Sequence, residues 1–332
     1  MKFTEREPPD IHTVFPHLPS GSVSVTIRGF ASNKIDMARR AFHELGPTAC
    51  LCINFVMNPD QLASYETHRQ RELAHLSMSS LKKAVDDWST LDSNVSHSIF
   101  LVRREELPPE HERYLQQYTI EPITAHVWQK LKAKLMEARQ EQRLDIYEAF
   151  EPVSPTKRMA GLAFEAIGHR RFQKEVELTL IPMTKDPNPR RLTSTVWQSQ
   201  SLNESVGAIP ISFKPQDFTQ YQWPGPNVVG PSIYYMPESS NQAALDSFIV
   251  VDQVLYIFQF TIATSHPIKP GIMDFFSQQS LQATLQGKEW YFIFIIPPGN
   301  MVKCPAASDD RIEEFWNKVK LYSAVVDPKK EG

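Results

Sequence analysis

The stretch Leu245-Asp246-Ser247-Phe248-Ile249-Val250-Val251-Asp252-Gln253-Val254-Leu255-Tyr256-Ile257-Phe258-Gln259-Phe260-Thr261 decides how this chain is read. Two apolar runs, 245–251 and 254–264, flank the short polar pair Asp252-Gln253. Apolar runs of this length around a turn read as a β-hairpin buried in a sheet. With Val251 and Val254 flanking a two-residue turn, counting outward sets Asp246 opposite Gln259 on one face, with Cβ atoms about 4.5–5.5 Å apart. A four-residue loop preserves this pairing and an odd loop breaks it. Asp-Gln lacks the glycine of the favoured two-residue turns. Thr261 lies two residues past Gln259 and shares its face. A carboxylate, a carboxamide and a hydroxyl therefore converge at one end of an otherwise apolar hairpin.

Around the hairpin the pattern alternates between helix and strand. Upstream, a helix is predicted over 156–173 and a strand over 176–181, then a long Pro-rich polar stretch, 182–230, with a β-like piece at 208–213. Downstream come a helix over 270–287, the strand 290–296 and an amphipathic helix over 309–322. This is an α/β core with helices covering a mixed sheet. Further upstream, 98–102 reads as a short strand and 124–150 as one long helix, ending at the break Pro152-Val153-Ser154-Pro155. Lys130, Lys132 and Lys134 on that helix read as part of a solvated face diluted by Glu137 and Glu141. The first ninety residues also alternate, with strands at 22–27 and 48–56 and a helix at 34–45. Asn58-Pro59 opens another helix, asparagine at the cap and proline at the first position.

The chain has 332 residues, with 35 Lys plus Arg against 38 Asp plus Glu and a formal net charge of −3. That length holds about two domains of roughly 150 residues each. A hydrophobic content of 41% with 22% charged residues excludes a largely disordered chain. The charge balance excludes a polycation, so any nucleic-acid contact has to come from a local basic surface. Three cysteines are too few for a disulfide framework, and Cys50 and Cys52 lack two further ligands for zinc, so buried reduced thiols are expected. No Gly-x-x-x-x-Gly-Lys-Ser/Thr loop occurs, which argues against ATP hydrolysis. The first residues lack a signal peptide's apolar core, and no uncharged apolar run reaches the ~18 residues of a membrane span. The expectation is an intracellular protein with no membrane partner; residence in the nucleus as well as the cytoplasm is an implication of family resemblance alone.

Phosphodiester hydrolysis suits the hairpin's polar end, because Mg²⁺ (or Mn²⁺) takes oxygen ligands from one or two carboxylates and from substrate phosphate. Asp246 is the candidate bridging carboxylate and the Gln259 carbonyl a neutral ligand. Glu165 is a second carboxylate, on one helical stripe with Leu162, His169 and Phe172. A carboxylate on such an apolar stripe needs a partner, and a metal is one. An ion pair or hydrogen bond to Arg170 or His169 is the structural alternative.

Gly161-Leu162-Ala163-Phe164-Glu165, then Tyr234-Tyr235-Met236-Pro237 with Asn241, then Leu245-Asp246-Ser247-Phe248-Ile249, and then Phe258-Gln259-Phe260-Thr261 with His266-Pro267-Ile268 together resemble the C-terminal domain of Crinkler and retrotransposon-hot-spot-type proteins. Those domains are similar to the PD-(D/E)xK restriction-endonuclease fold. The resemblance covers residues 155–300 and, loosely, 46–76 and 96–104. It implies a restriction-endonuclease-like domain over 153–325, a helical connector over 96–152, and a smaller α/β region over 1–95 resembling the end of an NTPase module without its P-loop. By position, it implies catalytic roles for Glu165, Asp246, Gln259 and Thr261, with the metal held by Glu165, Asp246 and Gln259. Thr261 falls where the fold has its lysine, which orients the attacking water and stabilises charge on the phosphorane. Either another lysine replaces it, Lys185 and Lys269 being candidates, or the site is weak or inactive. DNA, or RNA, is the implied partner, with Arg170, Arg171 and His266 as candidate contacts. Tyr221, Trp223, Tyr234 and Tyr235 are candidates to stack on bases. The alternative is a catalytically inactive pseudo-nuclease kept as a nucleic-acid or protein interaction module.

Overall fold

The computed structural model describes residues 58–77, 79–82, 99–104, 118–185, 196–201, 206–222, 225–226, 228–238, 245–269, 271–305 and 318–330. The elements expected before residue 58 lie outside this set, as do Cys50, Cys52, Trp223 and Asn241. The chain divides into two compact units, Met1–Arg103 with Glu121–Leu131, and Arg104–Ile120 with Lys132–Gly332.

Helix α1 (Pro59–His75) starts as the sequence predicts, with proline in the first turn, but Asn58 caps it without a side-chain hydrogen bond. The amide of Gln61 donates to the Asn58 carbonyl instead, at 3.1 Å. Strands β1 (Phe100–Arg104) and β2 (Tyr118–Pro122) follow. Helix α2 (Ala125–Glu137) begins where the Thr124 hydroxyl accepts from the Val127 amide at 3.2 Å, a side-chain cap of ordinary kind.

The single helix expected over 124–150 is two. Helix α3 (Gln140–Phe150) restarts after Ala138-Arg139, where Arg139 is extended (φ −68, ψ 156) and its amide donates to Gln142 Oε1 at 3.1 Å. The carbonyls this break frees at the end of α2 go to arginines. Arg143 Nη1 donates to Leu135 O at 3.4 Å and to Ala138 O, and Arg170 Nε donates to Met136 O at 2.7 Å. Cations at a helix C-terminus also complement its dipole.

Helix α4 (Lys157–Phe172) then leads into the strands, close to the bounds the sequence predicts. Strand β3 (Val176–Pro182) is followed by β4 (Thr184–Lys185), β5 (Val196–Gln198), β6 (Ile209–Phe213), β7 (Asp217–Tyr221) and β8 (Ile233–Pro237). The hairpin comes next, as β9 (Ser247–Val251) and β10 (Val254–Phe260). Helices α5 (Gly271–Phe276) and α6 (Gln279–Leu285) replace the one helix expected over 270–287, because Gln278 between them is extended (φ −62, ψ 135). The chain ends through β11 (Glu289–Ile296), β12 (Lys303–Pro305) and β13 (Val319–Val325).

Eight strands form one mixed sheet in the order β6-β3-β13-β11-β10-β9-β8-β7, and β12-β5-β4 form a smaller sheet. Strands β10, β11 and β13 run parallel, while β9 is antiparallel to β10. The expected register is present: Val254 pairs with Val251 and Phe258 with Ser247. Residues 319–322, expected to be helical, are instead part of β13, paired between β3 and β11. Leu321, Tyr322, Ser323 and Ala324 are all buried, so both faces of this central strand are covered and no alternation marks them.

Both faces of the large sheet are covered by aromatic packing. On one, Phe275 and Phe276 of α5 meet Phe248, with ring centroids 5.8 and 6.1 Å apart. On the other, Phe172 of α4 packs edge-on against Phe258 (4.8 Å) and Phe260 (5.5 Å). Gly168 makes this second contact close: a Cβ there would fall 2.1 Å from Cε1 of Phe260. Among the described residues no helix is long and apolar enough to cross a membrane.

Candidate active site

Asp246 lies one residue before β9, and its amide still donates to the Phe258 carbonyl at 3.0 Å, extending the hairpin ladder. Its side chain turns across to β10. Asp246 Oδ2 accepts two hydrogen bonds of 2.6 Å, one from Gln259 Nε2 and one from the backbone N–H of Phe260. The carboxylate can only accept, so the Gln259 amide nitrogen faces it and the carbonyl Oε1 is the end left to ligate something else. The pair expected from the register is thus formed, with Gln259 itself buried.

Glu165, on α4, has its own buried partners. Its Oε1 receives Lys132 Nζ at 2.5 Å, from a lysine whose side chain is only 6% exposed. His169, one turn on, puts Nε2 3.3 Å from the same oxygen and Nδ1 2.8 Å from the Tyr234 hydroxyl. The Tyr234 hydroxyl in turn lies 2.6 Å from Ser247 Oγ. His169, Tyr234 and Ser247 are fully buried. A polar chain therefore runs from Lys132 through Glu165, His169 and Tyr234 to Ser247, the neighbour of Asp246.

The two carboxyl groups are driven apart electrostatically. Burial raises the Glu165 pKa, but the Lys132 charge and the His169 hydrogen bond outweigh it and bring it down to about 2. Asp246 is raised well above the ordinary carboxylate range, first by burial and then by the charge of Glu165. Lys132 and the two hydrogen bonds to Oδ2 oppose that rise without cancelling it. His169 is lowered to about 4, chiefly by burial and further by Lys132, so it is neutral at pH 7. Environments that push two titratable groups in opposite directions are a mark of functional sites, though structural ion-pair networks share it.

No family model, curated protein or solved structure matches the chain.

The remaining expected residues fall elsewhere. Thr261 is buried, its hydroxyl accepting from the Ala263 amide at 3.0 Å, a hydrogen bond that orders its own loop. Lys185 sits in the small sheet with Nζ 5.2 Å from the centre of the Trp197 ring. Lys269 is exposed, and its charge is felt by His266, which burial first and Lys269 second hold below the usual histidine range. A neutral His266 is a poor phosphate ligand. Arg170 serves the end of α2, and Arg171 Nη1 donates to the Asp327 carbonyl at 3.1 Å. Tyr221, Tyr234 and Tyr235 are core residues and have no free face for a base.

Lys132, read from sequence as solvated, is instead buried and paired with Glu165. Its signal was the i±4 stripe Trp128, Lys132, Met136, which places it beside an apolar face rather than opposite one. Among the described residues no group of three or more His, Cys, Asp and Glu side chains is arranged to hold a metal. The structure brings Asp246 and Gln259 together on the hairpin, while the contacts of Glu165 are with Lys132 and His169.

Proposed function

We propose that this chain is a divergent restriction-endonuclease-like protein that hydrolyses phosphodiesters in DNA, with Glu165, Asp246 and Gln259 holding a divalent cation. The observation that carries the reading is the Lys132 ammonium on Glu165. Thr261 falls where the resemblance expects a lysine, and the buried Lys132 from α2 supplies a positive charge at Glu165. The donor set fits Mg²⁺ or Mn²⁺, hard cations that take one or two carboxylates and keep several waters. A carboxyl group raised by burial and a neighbouring anion, as Asp246 is, is one that a divalent charge would return to its ionised form. When bound, the metal would generate a hydroxide nucleophile and neutralise a non-bridging phosphate oxygen.

The chain's own residues do the positioning. The Phe260 amide and Gln259 Nε2 fix the Asp246 carboxylate, and His169 and Lys132 fix Glu165. Lys132 is the group suited to stabilise charge building on the phosphorane. A mixed sheet with α4 across the carboxylate-bearing strands is compatible with the proposed fold.

The test is supercoiled plasmid incubated with the protein in Mg²⁺ or Mn²⁺. Cutting is expected, with a loss of at least about 100-fold in both Asp246→Ala and Lys132→Met, the scale seen when one charge-stabilising group is removed from an active site. Metal-dependent cutting that persists in Asp246→Ala refutes the assignment. A second reading, an inactive interaction module, is favoured by one feature: the Lys132–Glu165–His169–Tyr234–Ser247 chain satisfies its own polar groups without any ligand. It predicts nucleic-acid or protein binding that is indifferent to chelator and accompanied by no cleavage.

A further inference from the structure

We infer that the open edge of β7 is a docking site for an extended peptide segment of a partner protein, one with an uncharged apolar centre and basic residues at its two ends. This goes beyond the proposed function and holds whether or not the chain cuts DNA.

Strand β7 ends the large sheet, with β8 as its one ladder neighbour. The Glu238 amide donates to the Tyr221 carbonyl at 2.9 Å, so Tyr221 turns its backbone towards β8. Alternation along an extended strand then turns the backbone of Gln220 outward, and among the described residues neither its N–H nor its C=O has a partner. At the start of the strand the N–H of Phe218 is already taken by Asp217 Oδ1, at 2.7 Å. Beyond it, a cavity of about 630 Å³ is lined by four consecutive residues, Thr219, Gln220, Tyr221 and Gln222, and so follows the strand's edge rather than one face. Four residues of strand span about 13 Å, the length of a short extended segment.

The far wall is the loop carrying Gly225, Val228 and Gly230. It is tethered: the Gly230 N–H donates to the Tyr235 hydroxyl at 2.8 Å, and that hydroxyl donates to the Val228 carbonyl at 3.3 Å. A Cβ added at Gly225 would stand 3.2 Å from Cε2 of Phe275, so this part of the loop lies against α5. Val228 stays 78% exposed, an apolar side chain held out by a fixed loop. An added strand uses all of these features, taking main-chain hydrogen bonds from the edge and placing alternate side chains in the groove. The charges choose its sequence. No lining residue is charged, while the exposed carboxylates of Asp217 and Glu238 stand at the two ends of β7. They attract basic ends and repel a phosphate backbone. The opposite edge of the sheet, β6, carries Pro210, a residue that blunts an edge as a template.

The test pans a phage library of random heptapeptides on the full chain and measures the enriched peptide, labelled with fluorescein, by anisotropy. Lys or Arg at the ends of an apolar centre is the expected enrichment. Gln220→Pro removes the outward N–H at an edge position where proline is tolerated, and should weaken binding by about tenfold or more, the scale of one or two lost hydrogen bonds. Gln220→Ala keeps the backbone donor and should bind like wild type. Asp217→Asn combined with Glu238→Gln should bind several-fold more weakly at low salt. A second measurement on the unmodified chain covers failure of a variant to fold. N-methylation of alternate amides in the peptide is expected to abolish binding in one phase of the alternation and to spare it in the other. The absence of any enriched peptide overturns the inference, as does binding indifferent to Gln220→Pro or to the phase of N-methylation. Displacement of the peptide by single-stranded DNA also overturns it, as does self-association that Gln220→Pro abolishes, which would make a second copy of the chain the occupant.

Discussion

At Gly168 the absence of a side chain lets α4 lie against the ring of Phe260, close enough that one added carbon would fall 2.1 Å from it. Gly168→Ala should raise helix propensity by about 1 kcal/mol but overpack the helix–sheet contact by about 1–3 kcal/mol, for a net loss of up to roughly 2 kcal/mol. Urea denaturation of the variant checks this, and a gain in stability would show that α4 can lift freely. The same residue scale explains what sequence could and could not disclose about the site. Asp246 and Gln259 were legible because strand pairing converts sequence distance into spatial opposition. Glu165 was legible as a carboxylate on an apolar stripe. Lys132 was not, because Lys130 and Lys134 beside it make the segment look uniformly wet, and its partner lies 33 residues away on another helix.

Among the elements, the hairpin was read correctly even though its turn lacks glycine. Asp252 takes up the difference with φ 51, a left-handed conformation that aspartate tolerates better than most residues. Lys288 Nζ donates to the Asp252 carbonyl at 2.8 Å and helps to hold it. Replacing Asp252 with glycine, the residue preferred where φ is positive at the first turn position, should stabilise the chain by about 0.5–1 kcal/mol. A rise in thermal midpoint would bear this out; a fall would mean that the aspartate side chain contributes more than its backbone strain costs. The elements that were misread share a physical cause. No Gly or Pro marks the break between α2 and α3, because the Gln142 side chain and two arginines compensate the interrupted ladder. Strand β13 gives no two-residue period because neighbours cover both its edges and its faces.

For the molecule as a whole, the buried ionisable groups tie stability to pH. His169 has a folded pKa of about 4 against an ordinary value near 6.5, so the unfolded chain binds the proton more readily between those values. Its contribution is complete above pH 6.5 and is lost as pH falls towards 4. Glu165, lowered from 4.5 to about 2, behaves likewise in a more acidic window, its contribution present above pH 4.5 and lost as pH falls towards 2. Asp246, raised, works in the opposite sense and favours the folded state at lower pH. His169 alone should lower the unfolding free energy between pH 6.5 and 4 by an amount of order 2 kcal/mol, which comparison with a His169 variant separates from the opposing Asp246 contribution. Urea titrations at half-unit intervals should show unfolding free energy falling more steeply with acidification in the wild type than in His169→Gln. Identical slopes would mean that the histidine is not the group responsible.

Phe260 acts as a shim in this arrangement. Its ring sets the height at which α4 rides over the sheet, and its own amide tethers the Asp246 carboxylate. Helix and hairpin are thereby coupled through one residue, so trimming that ring would unseat α4 and disturb the Asp246 end of the hairpin together.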